Sequence, residues 1–388
     1  MKKLMIMLLC LLTAALPALA EGAMPAVAKF NGGSISYDEA YPVYADTLQS
    51  YADFGWSAVD HSELAMEVLQ SLVQEAVLYS KAQELGLTEI PAETLTELKA
   101  VAHANYESLV SYYIDFYSSE DMSAEEARAA TEAYLEEEGQ SEEALLASMT
   151  ADWWRGALED YVCQNVAITE EHIWDYAETL ATTQSLQFAE DPTYFDYLYM
   201  NDDLIAYYPE GMRYIKHILI GFDVEGALSY QQLVGEGEMR DADPAALDAV
   251  YAALDERVAE VENLLLEGAS FDELMRTHGD DEMMLYEPYS ISGYMVQPGS
   301  ELFVPEFVNA CFELENVGDI SEPIRTPGGV HFILYAGDVP AGPVALESIV
   351  DMVAAEARDQ LMTETYDAQI AAWVAEAQPV YHPEYLLQ

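Results

Sequence analysis

The sequence predicts an α+β protein in which a mixed stretch of strands and helices is inserted between helical segments. Three observations carry this reading. Residues 61–166 repeat apolar side chains at intervals of three and four, the period of helices that share a core. Residues 213–336 break the rhythm: short β-branched runs alternate with short helical patterns, and Pro327-Gly328-Gly329 separates the last two runs as a hairpin turn does. Residues 346–377 return to a helical period.

Taken in order, Met1-Lys2-Lys3, the apolar run Leu4–Leu16 and the small residues Ala18 and Ala20 predict a secretory signal peptide over residues 1–20. Cys10 lies inside that run after Met7-Leu8-Leu9, which does not fit a lipid-attachment cysteine. Helices are expected at His61–Leu85, where Leu64, Val68, Leu72, Ala76 and Tyr79 form the stripe and Gly86 the stop, and at Ala92 to about Tyr117. Ser123 and Glu126 fit a capping box for a helix to Glu138, and Ser141 opens another to about Val166. Thr169 starts a further short helix by the same logic. Such stripes usually mean a shared core, and periodicity alone does not separate that from a groove for apolar peptide.

In the middle, Arg213–Ile220 reads as a buried strand, Pro244–Glu267 as one long helix stopped by Gly268, and Phe271–His278 as a short helix. A short strand around Ile291–Val296, a helix at Pro305–Leu314 and strands at Glu322–Thr326 and Val330–Ala336 follow. Gly337–Pro343 reads as a linker, and Leu346–Ala377 as a last amphipathic helix.

Charge narrows function. Lys and Arg number 14 against 71 Asp and Glu, a formal net charge of −57; such a chain is repelled by phosphate backbones and anionic lipid, so nucleic-acid and membrane-surface partners are not expected. Hydrophobic residues make up 51% of the chain, enough for sizeable cores, so disorder is not expected either. Beyond the leader no stretch is long and apolar enough to span a bilayer, so an exported chain without stable membrane insertion is expected. Cys163 and Cys311 fall in separate helical segments and are expected as buried free thiols. HExxH, CxxC, GxSxG, Walker and EF-hand patterns are all missing, so neither metal nor cofactor is expected.

Several spaced features together resemble a known family. Lys216-His217-Ile218-Leu219-Ile220, then Phe303–Leu314, then Gly318–Thr326 and Gly329-Val330-His331-Phe332-Ile333 follow the order and spacing of parvulin-type (PpiC) peptidyl-prolyl isomerases. Helices before such a domain and one after it resemble the SurA/PrsA-like exported foldases, and Phe30–Ser36 fits the strand-turn that starts them. The resemblance implies an all-α chaperone domain built from N- and C-terminal segments, with an inserted parvulin domain that is a small antiparallel sheet surrounded by helices. The implied divisions are residues 21–210 for the N-terminal helical domain and 211–339 for the parvulin domain. Residues 340–388 form a linker and a C-terminal helix packed with the N-terminal domain. Implied partners are unfolded or partly folded exported polypeptides containing X–Pro bonds, with a homodimer left open.

Isomerising an X–Pro bond breaks no covalent bond. The catalyst must lower a rotation barrier of ~18–20 kcal/mol about a partly double C–N bond, which calls for an apolar slot and a dry polar setting. By the resemblance, Met295, Phe303 and Phe307 match proline-pocket positions, Phe303 standing where methionine is usual, and Phe312 packs behind them. His217 and His331 match two histidines on neighbouring strands that orient the site; the bland reading of each alone is a satisfied core histidine. Thr326 matches a hydroxyl that bonds one imidazole. Asp280 or Asp281 matches an acidic position before the Gly-containing strand, the other being a solvated acidic turn. An acidic, Gly-rich insertion around Asp223–Asp243 departs from the family. Two functions follow: an isomerase that also holds its clients, or a non-catalytic chaperone whose parvulin domain only binds peptide.

Overall fold

The structure, a computed structural model, describes residues 26–56, 58–118, 122–235 and 242–388. The expected signal peptide, Cys10 and part of the Asp223–Asp243 insertion lie outside the described residues. Contacts divide the chain into two units, one formed by the residues up to Ala167 with Asp359–Gln388, the other by Ile168–Arg358. The division falls at 167/168 and 358/359, within the segments that the sequence assigns to the outer domain.

In the first unit, alternation and caps explain the elements. Strands Ala28–Phe30 and Gly33–Ile35 pair as a tight hairpin, and Val380–Tyr381 adds to its free edge. Ser36 and Glu39 form a capping box at helix Tyr37–Asp53, which the sequence reading left out. Asp60 caps His61–Glu84, Ser123 with Glu126 caps Ala124–Glu137, and Ser141 caps Glu142–Cys163; Ala92–Tyr117 lies between. The expected stripe is the core: Leu64, Val68, Leu69, Leu72, Val73 and Val77 are buried with Val27, Ala377 and Leu386. Segments from the first and last parts of the described chain therefore share one hydrophobic cluster. Cys163 is a buried free thiol, as expected.

The second unit starts with Glu170–Glu190, a helix of 21 residues rather than a short one, and Thr193–Met200. Residues expected as a linker are instead paired. Strand Gly329–Asp338 runs past Ala336, and Gly342–Pro343 pairs antiparallel with Tyr207–Tyr208. The first 13 residues of helix Leu346–Ala377 fall in this unit.

Its centre is a four-stranded antiparallel sheet in the order Tyr294–Val296, Arg213–Gly221, Gly329–Asp338, Ile324–Thr326. Strand alternation sorts side chains onto two faces. Ile218, Ile220, Val330 and Phe332 lie in a cluster with Tyr251, Leu254, Phe271, Leu274 and Met275 from the helices. Ile215, Ile333 and Tyr335 lie in the other with Val296 and with Phe307, Ala310 and Cys311 of helix Pro305–Glu313. Two sequence expectations need correction here. The Asp223–Asp243 insertion carries a helix, Val224–Val234, capped by Asp223, rather than a loop throughout. The long Pro244–Glu267 helix is interrupted: a 3₁₀ turn at Ala252–Leu254 separates Pro244–Tyr251 from Asp255–Leu266 and lets both Tyr251 and Leu254 be buried.

Gly293 makes the entry to the edge strand. Its φ is +87°, and a Cβ there would stand 2.4 Å from the Ile215 carbonyl oxygen. Gly293→Ala is expected to destabilise this unit by on the order of 3 kcal/mol, because strain and overlap with backbone add. Urea unfolding checks this, and an unchanged midpoint would contradict it.

Candidate active site

The site stands on the sheet face covered by helix Pro305–Glu313. His331 is directly opposite Leu219, and His217 opposite Ile333, so the two histidines are diagonal neighbours on one face rather than a directly opposed pair. Diagonal positions are farther apart than direct ones, and the imidazoles span the gap: ring centroids are 5.1 Å apart and Nδ1 to Nδ1 is 3.0 Å. Both rings are buried.

The remaining ring nitrogens are also engaged. His217 Nε2 is 2.8 Å from Asp281 Oδ2, and His331 Nε2 is 2.8 Å from Thr326 Oγ1. The backbone N–H of Gly328 donates to the same Thr326 hydroxyl oxygen. Asp281 is completed by Met283 N donating to Oδ1 and the Tyr294 hydroxyl donating to Oδ2 at 3.0 Å. One assignment gives every proton of this set an acceptor within it. Thr326 donates to His331 Nε2, His331 Nδ1–H donates to His217 Nδ1, and His217 Nε2–H donates to an ionised Asp281.

Electrostatics agree with a neutral His331 and an ionised Asp281. Burial, reinforced by the neighbouring His217, pushes the His331 pKa down to about 3, so its ring is neutral through the ordinary pH range. Burial alone would raise the Asp281 carboxyl, but the hydrogen bond and charge interaction with His217, then the bonds from Tyr294 and Met283 N, outweigh it and hold the pKa below the usual carboxylate value. Burial, then the Asp281 charge, raises the Tyr294 phenol, which keeps its proton.

The two candidate aspartates separate cleanly. Successive extended residues point in opposite directions. Asp281, with its side chain 21% exposed, reaches His217, whereas Asp280, 41% exposed, turns to Arg257 and Gly221 N. Arg257 grips Asp280 through Nη1 at 2.8 Å and Nη2 at 3.0 Å. The Asp280 amide donates to Leu219 O, so this residue anchors the end of the His217 strand. It is neither a member of the imidazole chain nor a merely solvated turn.

The aromatic wall is part expected and part new. Phe307 is buried, with its ring centroid 5.3 Å from both His217 and His331 and edge-on to each. Phe303 precedes the helix rather than sharing a helical face with Phe307, yet their rings are 5.4 Å apart. Phe312 packs on the cluster around Phe307 and Cys311, under the Arg213 guanidinium at 4.9 Å. Met295 does not join this group. It packs among Phe188, Phe195, Leu198 and Met212, on the cluster of helix Thr193–Met200. Its neighbour Tyr294 takes the place beside the histidines, 5.7 Å from the His217 ring and 5.5 Å from Phe303. The signal was available: Val296 faces the core, and a period of two puts Tyr294 with it and Met295 opposite.

Among the described residues no group of three or more His, Cys, Asp or Glu has the placement to hold a metal ion. Cys311 lies beneath the site as a buried free thiol, its pKa pushed up to about 12 chiefly by burial, so it is not a thiolate nucleophile.

A buried, internally satisfied imidazole pair under aromatic rings, on a four-stranded antiparallel sheet, is the arrangement that the parvulin resemblance implies. Comparison agrees: residues 239–336 match the rotamase family described as the PPIC-type PPIase domain, so the chain carries a PpiC-type domain of the parvulin class. Its similar curated proteins include foldase protein PrsA 2 of Bacillus anthracis, 31% identical over 120 residues that span 30% of this chain and 40% of that one. Solved structures with likeness include PrsA from Bacillus subtilis, at 17% identity, covering 92% of this chain and 93% of that one with a TM-score of 0.23. A structure reported for two SurA-like chaperones of Campylobacter jejuni covers 91% and 98% at 14% identity and a TM-score of 0.23.

Proposed function

We propose that the chain is an exported foldase that isomerises X–Pro bonds in secreted or envelope polypeptides and also holds them while unfolded. One observation carries the isomerase reading: all four ring nitrogens of His217 and His331 are consumed by one another, Asp281 and Thr326. The rings therefore present carbon edges and faces, not free proton donors or bases. That suits rotation about an amide. Donating a hydrogen bond to the carbonyl oxygen would strengthen the C–N double-bond character and oppose twisting, whereas a dry wall favours the less polar twisted state. Phe307 and Phe303 supply the wall against which a pyrrolidine ring packs.

Holding is supported by the helical unit, where Tyr112 is 67% and Phe116 72% exposed on helix Ala92–Tyr117. Export is supported by the leader-like residues 1–20.

The test is a protease-coupled assay on a proline-containing peptide, comparing the chain lacking its leader with a double variant, His331→Ala with Phe307→Ala. The isomerase reading expects the double variant to fall to the uncatalysed rate. Equal rates for both proteins would leave a peptide-binding chaperone.

A further inference from the structure

We infer that Tyr294 is a positioning residue whose hydroxyl sets the direction of the proton chain through the two imidazoles by holding Asp281 as an acceptor. The inference rests on the isomerase reading of the same site and goes beyond it to name what orders that site.

The chain Asp281–His217–His331–Thr326 has two self-consistent directions. In the first, every donor points toward Asp281: Thr326 to His331, His331 to His217, His217 to the carboxylate. In the reverse, a protonated Asp281 donates to His217 Nε2, His217 Nδ1–H donates to His331 Nδ1, and His331 Nε2–H donates to Thr326. The distances are the same in both, because heavy atoms do not distinguish them. The groups at the two ends decide.

At the Asp281 end, three donors converge. Met283 N donates to Oδ1, and the Tyr294 hydroxyl shares Oδ2 with His217. A carboxylate that accepts from three donors is held ionised and fixed in rotation. At the far end, Gly328 N already donates to Thr326 Oγ1 at 3.2 Å. In the reverse direction that hydroxyl would accept twice and its own proton would have to find another acceptor. Both ends favour the first direction, and of the three Asp281 donors only Tyr294 is a side chain outside the imidazole chain.

Tyr294 is itself held for this task. Its ring lies 5.0 Å from Tyr289, 5.5 Å from Phe303 and 5.7 Å from His217. Its strand follows directly on Gly293, where a side chain would meet Ile215 O, so the backbone beside it is fixed. The neighbouring amide, Met295 N, donates to Tyr199 Oη at 3.4 Å. The charged groups nearest Asp281 in the chain are Asp280, neutralised by Arg257, and the exposed Glu282. Neither is a donor to the carboxylate, so no other side chain replaces the Tyr294 hydroxyl.

In either direction no ring N–H is left free for the client's amide oxygen; what the direction fixes is the tautomer of each ring and the charge on Asp281. A population of the reversed chain would change which nitrogen of each ring carries the proton and would neutralise Asp281.

Tyr294→Phe removes the hydroxyl and keeps the ring, so packing is preserved while the bond is lost. Long-range ¹⁵N–¹H spectra of the histidine rings in the full mature chain, ligand-free at neutral pH, read the tautomers directly. In the wild type, His217 Nδ1 and His331 Nε2 are expected to resonate as unprotonated nitrogens. In Tyr294→Phe, both are expected to move measurably toward the protonated range, with kcat down roughly two- to tenfold and KM unchanged. Ring shifts that stay at their wild-type values overturn the inference, whatever kcat does. Wild-type ring shifts of the reverse pattern overturn it as well. Because the spectra need no substrate, a chain without isomerase activity would sink the functional reading while leaving this measurement decisive.

Discussion

Phe307→Ala is expected to lower kcat/KM on proline peptides by roughly 30- to 100-fold. The estimate comes from the surface that the ring offers a pyrrolidine. Losing contact for three CH₂ groups at ~0.8 kcal/mol each removes ~2.4 kcal/mol, and ~1.4 kcal/mol is a factor of ten in rate. The same substitution should lower the stability of the unit by ~3–5 kcal/mol, since a buried ring between two imidazoles and Phe303 leaves a cavity. The two effects are separated with Phe307→Leu, which keeps most of the volume. That variant should retain a near-native urea midpoint while still losing several-fold in kcat/KM, because a branched chain does not reproduce the flat wall beside His217 and His331. Unchanged turnover by Phe307→Ala would show that the ring is core packing and not part of the proline slot.

The second large effect is acid lability centred on His331. Its folded pKa is depressed to about 3 by burial against an unperturbed value near 6.5, so the unfolded chain binds this proton first as pH falls. Stability from this group is therefore fully present above about pH 6.5 and is lost progressively down to about pH 3, at ~1.4 kcal/mol per pH unit in the middle of the window. Asp281 acts in the same sense, since its lowered pKa contributes stability that disappears as the carboxylate is protonated. The background runs the other way: acidification relieves repulsion in a chain of net charge −57. The His331 contribution is thus read as a difference. Urea midpoints of wild type and His331→Leu, followed from pH 7.5 to 4, should converge or cross as pH falls. Parallel curves would contradict a buried neutral imidazole.

Much of the fold was legible because its causes are local. Ser123 and Glu126 formed the capping box that their spacing advertised, and helix Leu346–Ala377 has the bounds its period implied. The Gly-Gly hairpin turn, strand Arg213–Gly221 and helix Phe271–His278 were equally visible. Misses occurred where pairing or burial at a distance took over. Gly342–Pro343 looked like linker and became a strand because Tyr207–Tyr208 lay ready to pair. The long helix broke at Ala252 where Tyr251 reaches across to donate to Thr326 O.

For the site, the sequence by itself determined the chemical cast: two histidines in β-runs, a threonine before the turn, an Asp pair and a Phe-containing helix start. Their order and spacing along the chain resemble the parvulin family, and it is that resemblance, a property of sequence alone, that names such parts. Which aspartate enters, that Tyr294 rather than Met295 stands beside His217, and that the imidazoles meet diagonally were decided only by the tertiary structure. Register between strands distant in sequence places Tyr294 and both imidazoles, and a shift of one residue would send these side chains to the opposite face, whereas the alternation of Asp280 and Asp281 decides which of them enters.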